Sequence, residues 1–535
     1  MSTFAPGKPH PHPMTAPLRN HPTLRTLLLC ALYAFVLLFF LSPDSYLRDL
    51  YYRCDSAIFF MCGKAWMNGM TPYVDFADSK GPLLWLIYGI GYLLNHHSYV
   101  GVFWISILFY TATLYIAYKL SRLFLEPRPS ALCVALLPLA LFFYVINAEV
   151  REVRAEDFCM PFVLISLYGL CRVIKEQAIS KYTFFCLSVG MGISFMACLL
   201  IKWNIAAMIG STMLCVFILS FKQKAWALCI VGMIAGAAIL ALPFLIYFLF
   251  FADFGVFVDE YFVNTYLTMQ RKAIVLGILT FEGDMLLKEI IHEIIKDALT
   301  IVLFIGVAIF CKRDKRYAWL LFCVLMFRVA MGVSTAKYYF AILSPFFIFF
   351  LIAIVRKVQE KWPQLLSCSF NSLCVLVAIF VICCDSLNIN LNFLDVKAER
   401  KSFYDAAYVM SQVEKPKMFM CGPIEGGLGV PVDALPSCRY WTSQAGATEE
   451  MLRQREKAVQ DRIPDFILVG TMATHIEEER QPQIEKCGYV PYVIVYGLYK
   501  DGIFALYGRP GLKLPPEDFH VSQWDIWLKR NIFGI

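Results

Sequence analysis

The chain has 535 residues, of which 59% are hydrophobic, 16% aromatic and 17% charged. Soluble domains run about 45–50% apolar and about 25% charged, so this balance, with a mean hydropathy of +0.60, excludes an ordinary soluble protein and points to an integral membrane one. The formal charge of +7 is accordingly no nucleic-acid signal, because membrane proteins concentrate Lys and Arg in cytoplasmic loops.

Residues 1–24 are polar and rich in Pro and His, and read as a disordered cytoplasmic tail. Metal binding by His10, His12 and His21 is the alternative reading of that tail. No small-residue cleavage site follows the first apolar run, which therefore reads as a retained helix and not a signal peptide. Hydrophobic helices are expected near 25–42, 99–121, 130–146, 157–173, 182–200, 204–221, 225–251, 298–311, 317–333, 338–355 and 366–384, eleven in all. The fold class is thus mainly α and polytopic, with residues 25–385 forming the transmembrane domain. A shorter apolar piece, 83–94, falls below a spanning length and reads as interfacial or re-entrant. Most cysteines lie inside apolar runs, where they act as small hydrophobes. Cys54, Cys62, Cys421, Cys438 and Cys487 lie outside them, and their spacing dictates no pairing.

With the N-terminus inside, every predicted inner loop is basic, from Lys119, Arg122 and Arg128 to Arg356, Lys357 and Lys361. By the positive-inside rule the loops 43–98, 147–156 and 252–297 and the region after 385 then face outward. In loop 43–98, residues 55–69 read as a helix lying on the membrane surface, starting at Asp55 and stopping at Asn68-Gly69. In loop 252–297, apolar pairs recur every four residues through DMLLKEIIHEIIKD, which predicts an amphipathic helix on or near the membrane. Residues 386–535 read as a small periplasmic α/β domain. Its expected helices are 397–413 and 446–462, its strands PKMFMCG, DFILVG, YVPYVIVYG and IFALYGR, with a hairpin through Lys500-Asp501-Gly502. CGPIEGGLG (421–429) reads as a loop, and no Rossmann, Walker or zinc-spaced motif is present.

The outer face collects ionisable residues that are costly near a bilayer and by default mark function. They are Asp55, Asp75, Asp78 and Lys80 in the first loop, the acidic and basic run 147–157, Lys202 between two spans, Arg271 and Lys272 in the long loop, and Lys337 beside Tyr338. Glu149, Arg151 and Glu152 suit salt bridges in a short exposed loop, whereas Glu156 and Asp157 stand at the mouth of a span. A lipid-borne phosphate-sugar needs such a mixture. A carboxylate takes the proton of the acceptor hydroxyl, and cations face the leaving phosphate as its charge grows. Asp55 supplies the first, and Lys80, Arg154, Lys202 and Lys337 are candidates for the second. Other roles are open to the same residues. Asp55 can cap the helix after it, Asp75 and Asp78 can hold turns, and Lys80 and Lys202 can snorkel.

The first loop also carries Gly69, Pro72, Tyr73, Asp75, Asp78, Lys80, Pro82 and Leu83 after Asp55, as G-x-x-P-Y-x-D-x-x-D-x-K-x-P-L. This pattern resembles the first loop of the C-type (GT-C) membrane glycosyltransferases of bacteria, a group that includes the lipid A aminoarabinose transferases and relatives of the protein O-mannosyltransferases. RAEDFCMPF (154–162) is similar to the group's acidic start to a later span, and AKYYFAILSP (336–345) to its basic and aromatic span. Two positions depart from the pattern: Ser56 stands where a Glu usually follows the Asp, and Tyr338 where a His is common. The resemblance implies that Asp55 is the catalytic base or orients the acceptor, and that Lys80 contacts the donor phosphate. Tyr73, Asp75, Asp78, Glu156, Asp157 and Tyr338 would then bind or position substrate. It implies a polyprenyl-phosphate-sugar donor, an envelope glycan, lipid or protein as acceptor, no nucleic acid, and a multi-pass bacterial inner-membrane location. A cationic phosphate site makes a metal unnecessary, though the clustered carboxylates leave a divalent ion as an alternative. A flippase for lipid-linked saccharides and a noncatalytic envelope assembly factor are the competing readings. The first predicts repeat symmetry between halves, which the sequence does not display.

Overall fold

The computed structural model describes residues 22–42, 44–45, 55–146, 154–176, 179–268, 298–331, 337–362, 370–385, 405–421, 427–442, 447–470, 481–496 and 503–513. The three tail histidines, Cys54, the 147–153 segment, the amphipathic stretch with Arg271 and Lys272, and the Lys500-Asp501-Gly502 turn lie outside the described residues. So do the side chains of Lys337 and Tyr338.

Each predicted apolar segment contains a helix. In chain order these elements are α1 (Pro22–Leu41), α2 (Asp55–Met67), α3 (Pro82–Leu94), α4 (Val100–Ser121), α5 (Pro127–Ile146), α6 (Ala155–Lys175) and α7 (Lys181–Ile201). They continue as α8 (Trp203–Lys222), α9 (Trp226–Phe250), the short α10 (Phe254–Val258), α11 (Ala298–Cys311), α12 (Trp319–Met331), α13 (Phe347–Lys361) and α14 (Phe370–Asp385). Among the described residues, seven helices have the length and composition to cross a membrane. Helix ends follow local chemistry. Ser180 caps α7 by accepting from Thr183 N at 3.1 Å, Pro82 opens α3 where its missing N–H is harmless, and α6 has acids in its first turn and bases in its last.

Lipid-bathed helices gain little from apolar burial against one another, so they associate through close packing at small residues. Helices α7 and α9 illustrate this. A Cβ on Gly192 would fall 2.1 Å from Met233 O, and one on Gly236 would fall 2.0 Å from Val189 O. Elsewhere α9 presents Val231, Ile234, Ile239, Leu242, Ile246 and Leu249 outward, as a lipid-facing helix does.

The C-terminal part forms a five-stranded mixed sheet in the order β2-β1-β3-β5-β4. Its strands are β1 (Lys417–Cys421), β2 (Leu435–Pro436), β3 (Phe466–Gly470), β4 (Val490–Tyr496) and β5 (Ile503–Gly508), accompanied by helices α15 (Glu449–Gln460) and α16 (Gln481–Lys486). Strand β1 runs parallel to β2 and β3, while β4 and β5 pair antiparallel with Tyr496 opposite Ile503. Buried Arg455 on α15 stacks 4.5 Å above the Phe419 ring and donates to Met420 O and Tyr440 O, both at 2.7 Å. Cys62, Cys421, Cys438 and Cys487 are free thiols.

One expectation is corrected. Helix α2 is not surface-lying, because Ser56 through Ala65 are all buried. Helix α3 covers one side of it, and the 427–434 segment of the C-terminal part covers another. Lys64, fully buried, donates to Gly429 O at 2.8 Å and to Val432 O. Burial drags its ammonium from the ordinary lysine range down to about 7, against the opposing pull of Asp433.

Candidate functional site

The stretch Tyr73–Pro82 is a compact knot. Tyr73 N donates to Phe76 O at 2.7 Å, and Asp75 Oδ2 accepts from Thr71 N at 2.7 Å, so Asp75 staples the turn. Tyr73 adopts a left-handed backbone with φ +66°, unfavourable for a bulky residue. Its surroundings compensate. The ring is fully buried 4.6 Å from the Trp85 ring, and the hydroxyl donates to Lys80 O at 3.0 Å.

The knot then runs into the end of α7. Gly81 N donates to Ile201 O at 3.0 Å, and a Cβ at Gly81 would sit 2.0 Å from Leu200 O. Only glycine allows that approach, and it brings Lys80 beside the α7–α8 junction, which is Lys202. The Lys80 ammonium lies 5.5 Å from the Phe59 ring and donates to Ser79 Oγ at 3.0 Å. Phe59 is one helical turn after Asp55 on α2, so Asp55 and Lys80 attend the same helix face. Lys202 is buried and forms an ion pair with buried Glu156 near the start of α6. Charges this well enclosed persist only when paired. Arg154 stands at the N-cap of α6, where its N–H donates to Asp157 Oδ2 at 2.8 Å. Glu156, Lys202, Lys80 and Arg154 thus stand near the start of α6 and the α7–α8 junction, while Asp55 opens α2. Asp75 and Asp157 are engaged by their own backbone. Lys337 opens a 3₁₀ segment, Lys337–Phe346, ahead of α13.

Asp78 belongs to a narrow neighbouring cleft, roomy enough for about one water, that also includes Ser79, Glu260, Thr268 and Tyr440. Sequence reasoning missed Glu260, Arg439 and Tyr440. Glu260 is buried and accepts from Tyr440 Oη at 2.6 Å and from Arg439 at 3.3 Å. Burial and the Glu260 carboxylate push the Tyr440 phenol above its ordinary range. Arg439 also donates to Val74 O at 3.0 Å and accepts from Ala77 N at 2.8 Å. These partners lie some 180 and 365 residues apart in sequence. The one available signal was an acidic pair, Asp259-Glu260, just past the end of a span. Among the described residues no three His, Cys, Asp or Glu side chains converge as a metal-ligand set.

Residues 79–247 match the family model described as dolichyl-phosphate-mannose-protein mannosyltransferase. The fold is similar to the crystal structure of ArnT from Cupriavidus metallidurans bound to undecaprenyl phosphate, with a TM-score of 0.57 at 12% identity over 91% of this chain and 98% of that one. The apo form of that protein gives 0.55 at 10% identity over the same shares. No curated protein matches the chain in sequence. The matched segment begins inside the Tyr73–Pro82 knot and ends within α9, so it contains the Glu156–Lys202 pair and the Gly81 crossing. In that segment the chain is similar to the mannosyltransferase family model, and in its fold it is similar to ArnT.

Proposed function

We propose that the chain transfers a sugar from a polyprenyl-phosphate-linked donor to a hydroxyl of an envelope lipid, glycan or protein on the periplasmic face of a bacterial inner membrane. The carrying observation is the enclosed Glu156–Lys202 pair with Gly81 packed on the same α7 end, which sets Lys80 near Lys202. In this reading the acceptor oxygen attacks the anomeric carbon as the bond from that carbon to the phosphate oxygen breaks. The phosphate keeps the electron pair, and the acceptor proton passes to the Asp55 carboxylate. Lys80, Lys202 and Arg154 face the growing phosphate charge, and Glu156 holds Lys202 in place before the donor arrives. Lys337 completes the cations at the start of its 3₁₀ segment, with Tyr338 next to it. The relative crystallised with undecaprenyl phosphate supports this donor class.

The same reading takes residues 1–24 as a cytoplasmic tail, 25–385 as the membrane domain and 386–535 as the periplasmic domain, with the basic loops inside. The test is protein in nanodiscs supplied with a polyprenyl-phosphate-sugar. Release of free polyprenyl phosphate is expected. Asp55→Asn should lower it on the order of 10²–10⁴-fold, and Lys80→Ala should raise the donor KM. Full turnover by Asp55→Asn would remove the carboxylate from the mechanism.

A further inference from the structure

At the end of the bundle away from the Tyr73–Pro82 knot, cations from the ends of α4, α6 and α13 close on one turn. The chain leaves α4 through Arg122–Glu126, where Leu123 N, Phe124 N and Leu125 N fold back onto Leu120 O and Ser121 O. The carbonyls of Leu123, Phe124 and Leu125 accept from side chains instead. Lys175, the last residue of α6, donates to Leu123 O. Arg356 on α13 donates to Phe124 O at 3.3 Å, and Arg122 to Leu125 O at 2.7 Å. The Phe124 ring, packed on Phe310 and Tyr317, lies 6.0 Å from the Lys175 ammonium. Main-chain carbonyls compensate a full charge only in part. Among the described residues the acids at this end are Glu126, Glu176, Asp314 and Glu360, and they pair with Arg122, Arg172, Arg316 and Arg313. Lys175 and Arg356 have no carboxylate of their own there, and like charges gathered on one turn repel.

Helices α4 and α6 and the stretch Ala341–Lys361 are long and apolar enough to cross a bilayer, and the three cations stand near their ends. Headgroups lie at that depth, roughly 28 Å along α6 from Glu156. We infer that this turn holds the phosphodiester of an anionic phospholipid, separate from the site proposed for the sugar donor. An ammonium has three N–H donors and a guanidinium five, so Lys175 and Arg356 each keep donors for phosphate oxygens. Lys175 is exposed and Arg356 half-buried, so both are open to a headgroup. Exposed Ile309 on α11 and Ile354 on α13 offer apolar surface to the acyl chains. A soluble anion brings the same charge but no chain to bury against the spans, which favours the lipid as occupant.

The experiment uses full-length protein, delipidated in detergent and titrated with palmitoyl-oleoyl phosphatidylglycerol or, separately, palmitoyl-oleoyl phosphatidylcholine, with bound lipid counted by native mass spectrometry. The wild type is expected to bind its first phosphatidylglycerol more tightly than its first phosphatidylcholine. Lys175→Gln combined with Arg356→Gln keeps amide donors for the turn, removes both charges, and should weaken that first phosphatidylglycerol by about thirtyfold. Lys175→Arg combined with Arg356→Lys keeps the charges and should retain it. Equal affinity for the two lipids overturns the assignment, as does an unchanged phosphatidylglycerol affinity in the double Gln variant. Equal loss in the charge-keeping variant also overturns it, because binding would then follow the shape of the turn and not its charge. Displacement of the bound lipid by millimolar glycerol 3-phosphate would make the occupant a soluble anion and overturn the lipid assignment.

Discussion

Two buried lysines of this chain solve the same physical problem differently. Lys202, where α7 meets α8, faces a full negative charge on Glu156. Lys64, in the middle of α2, is held by two backbone carbonyls from the 427–434 segment, with the Phe60 and Tyr92 rings each within 6 Å. Carbonyl dipoles and aromatic faces compensate an ammonium less than a carboxylate does, and the Lys64 group accordingly titrates near 7. The first arrangement neutralises a charge enclosed among the helices. The second fastens two parts of the chain together.

The largest effect should come from breaking the charged pair. Glu156→Gln leaves Lys202 enclosed without its carboxylate, and thermal unfolding in nanodiscs should show a loss of about 3–5 kcal/mol. A loss below about 1 kcal/mol, the range of exposed pairs, would mean that water reaches Lys202. Next comes Gly81→Ala, whose Cβ must push the α7 end away from the knot. Overpacking of this kind destabilises by about 1–3 kcal/mol, and donor turnover should fall with it, because the same backbone carries Lys202.

The Lys64 contact sharpens the contrast through pH. An unfolded lysine keeps its proton to about 10.4, whereas Lys64 releases it at about 7 in the folded chain. Between these values the unfolded state binds more protons, so stability rises with pH across that window and is lower below it. His97, which also faces Asp433 and Lys64 and is lowered by burial, acts in the same direction at lower pH. Hydrogen exchange over residues 427–434 should slow relative to its intrinsic rate as pH rises from 6 to 9. Lys64→Met should flatten that dependence; an unaltered slope would assign it elsewhere. The smallest effect is expected for Arg453→Ala. Its exposed pair with Glu450, 2.8 Å long, is screened by solvent, so the unfolding midpoint should not move measurably.

The parts of the fold that the sequence disclosed are those with a local cause. Helices stand where apolar runs are long, the β4–β5 pairing stands where two strand-like runs flank Lys500-Asp501-Gly502, and α15 (449–460) falls within the expected 446–462. Short β2, two residues long, left no periodic trace. Placement of α2 went astray because part of its cover, the 427–434 segment, comes from residues more than 360 positions away. A lysine amid DSAIFFMCGKAWM was visible, but its partners were main-chain carbonyls, which no side-chain pattern announces. The candidate site divides likewise. Asp55, Lys80, Glu156 and Lys202 stood out as charges among apolar neighbours. Glu260, Arg439 and Tyr440 matter only through one another, across the junction of the membrane and C-terminal parts.

Arg439 strings the Tyr73–Pro82 knot to the sheet-bearing end by ties to the main chain at Val74 and Ala77. Shear between those two bodies must therefore travel into the strained tyrosine and onward to the glycine abutting α7. A chain cut short before residue 439 would keep every apolar helix yet lose the splint that keeps the Tyr73–Pro82 knot in shape.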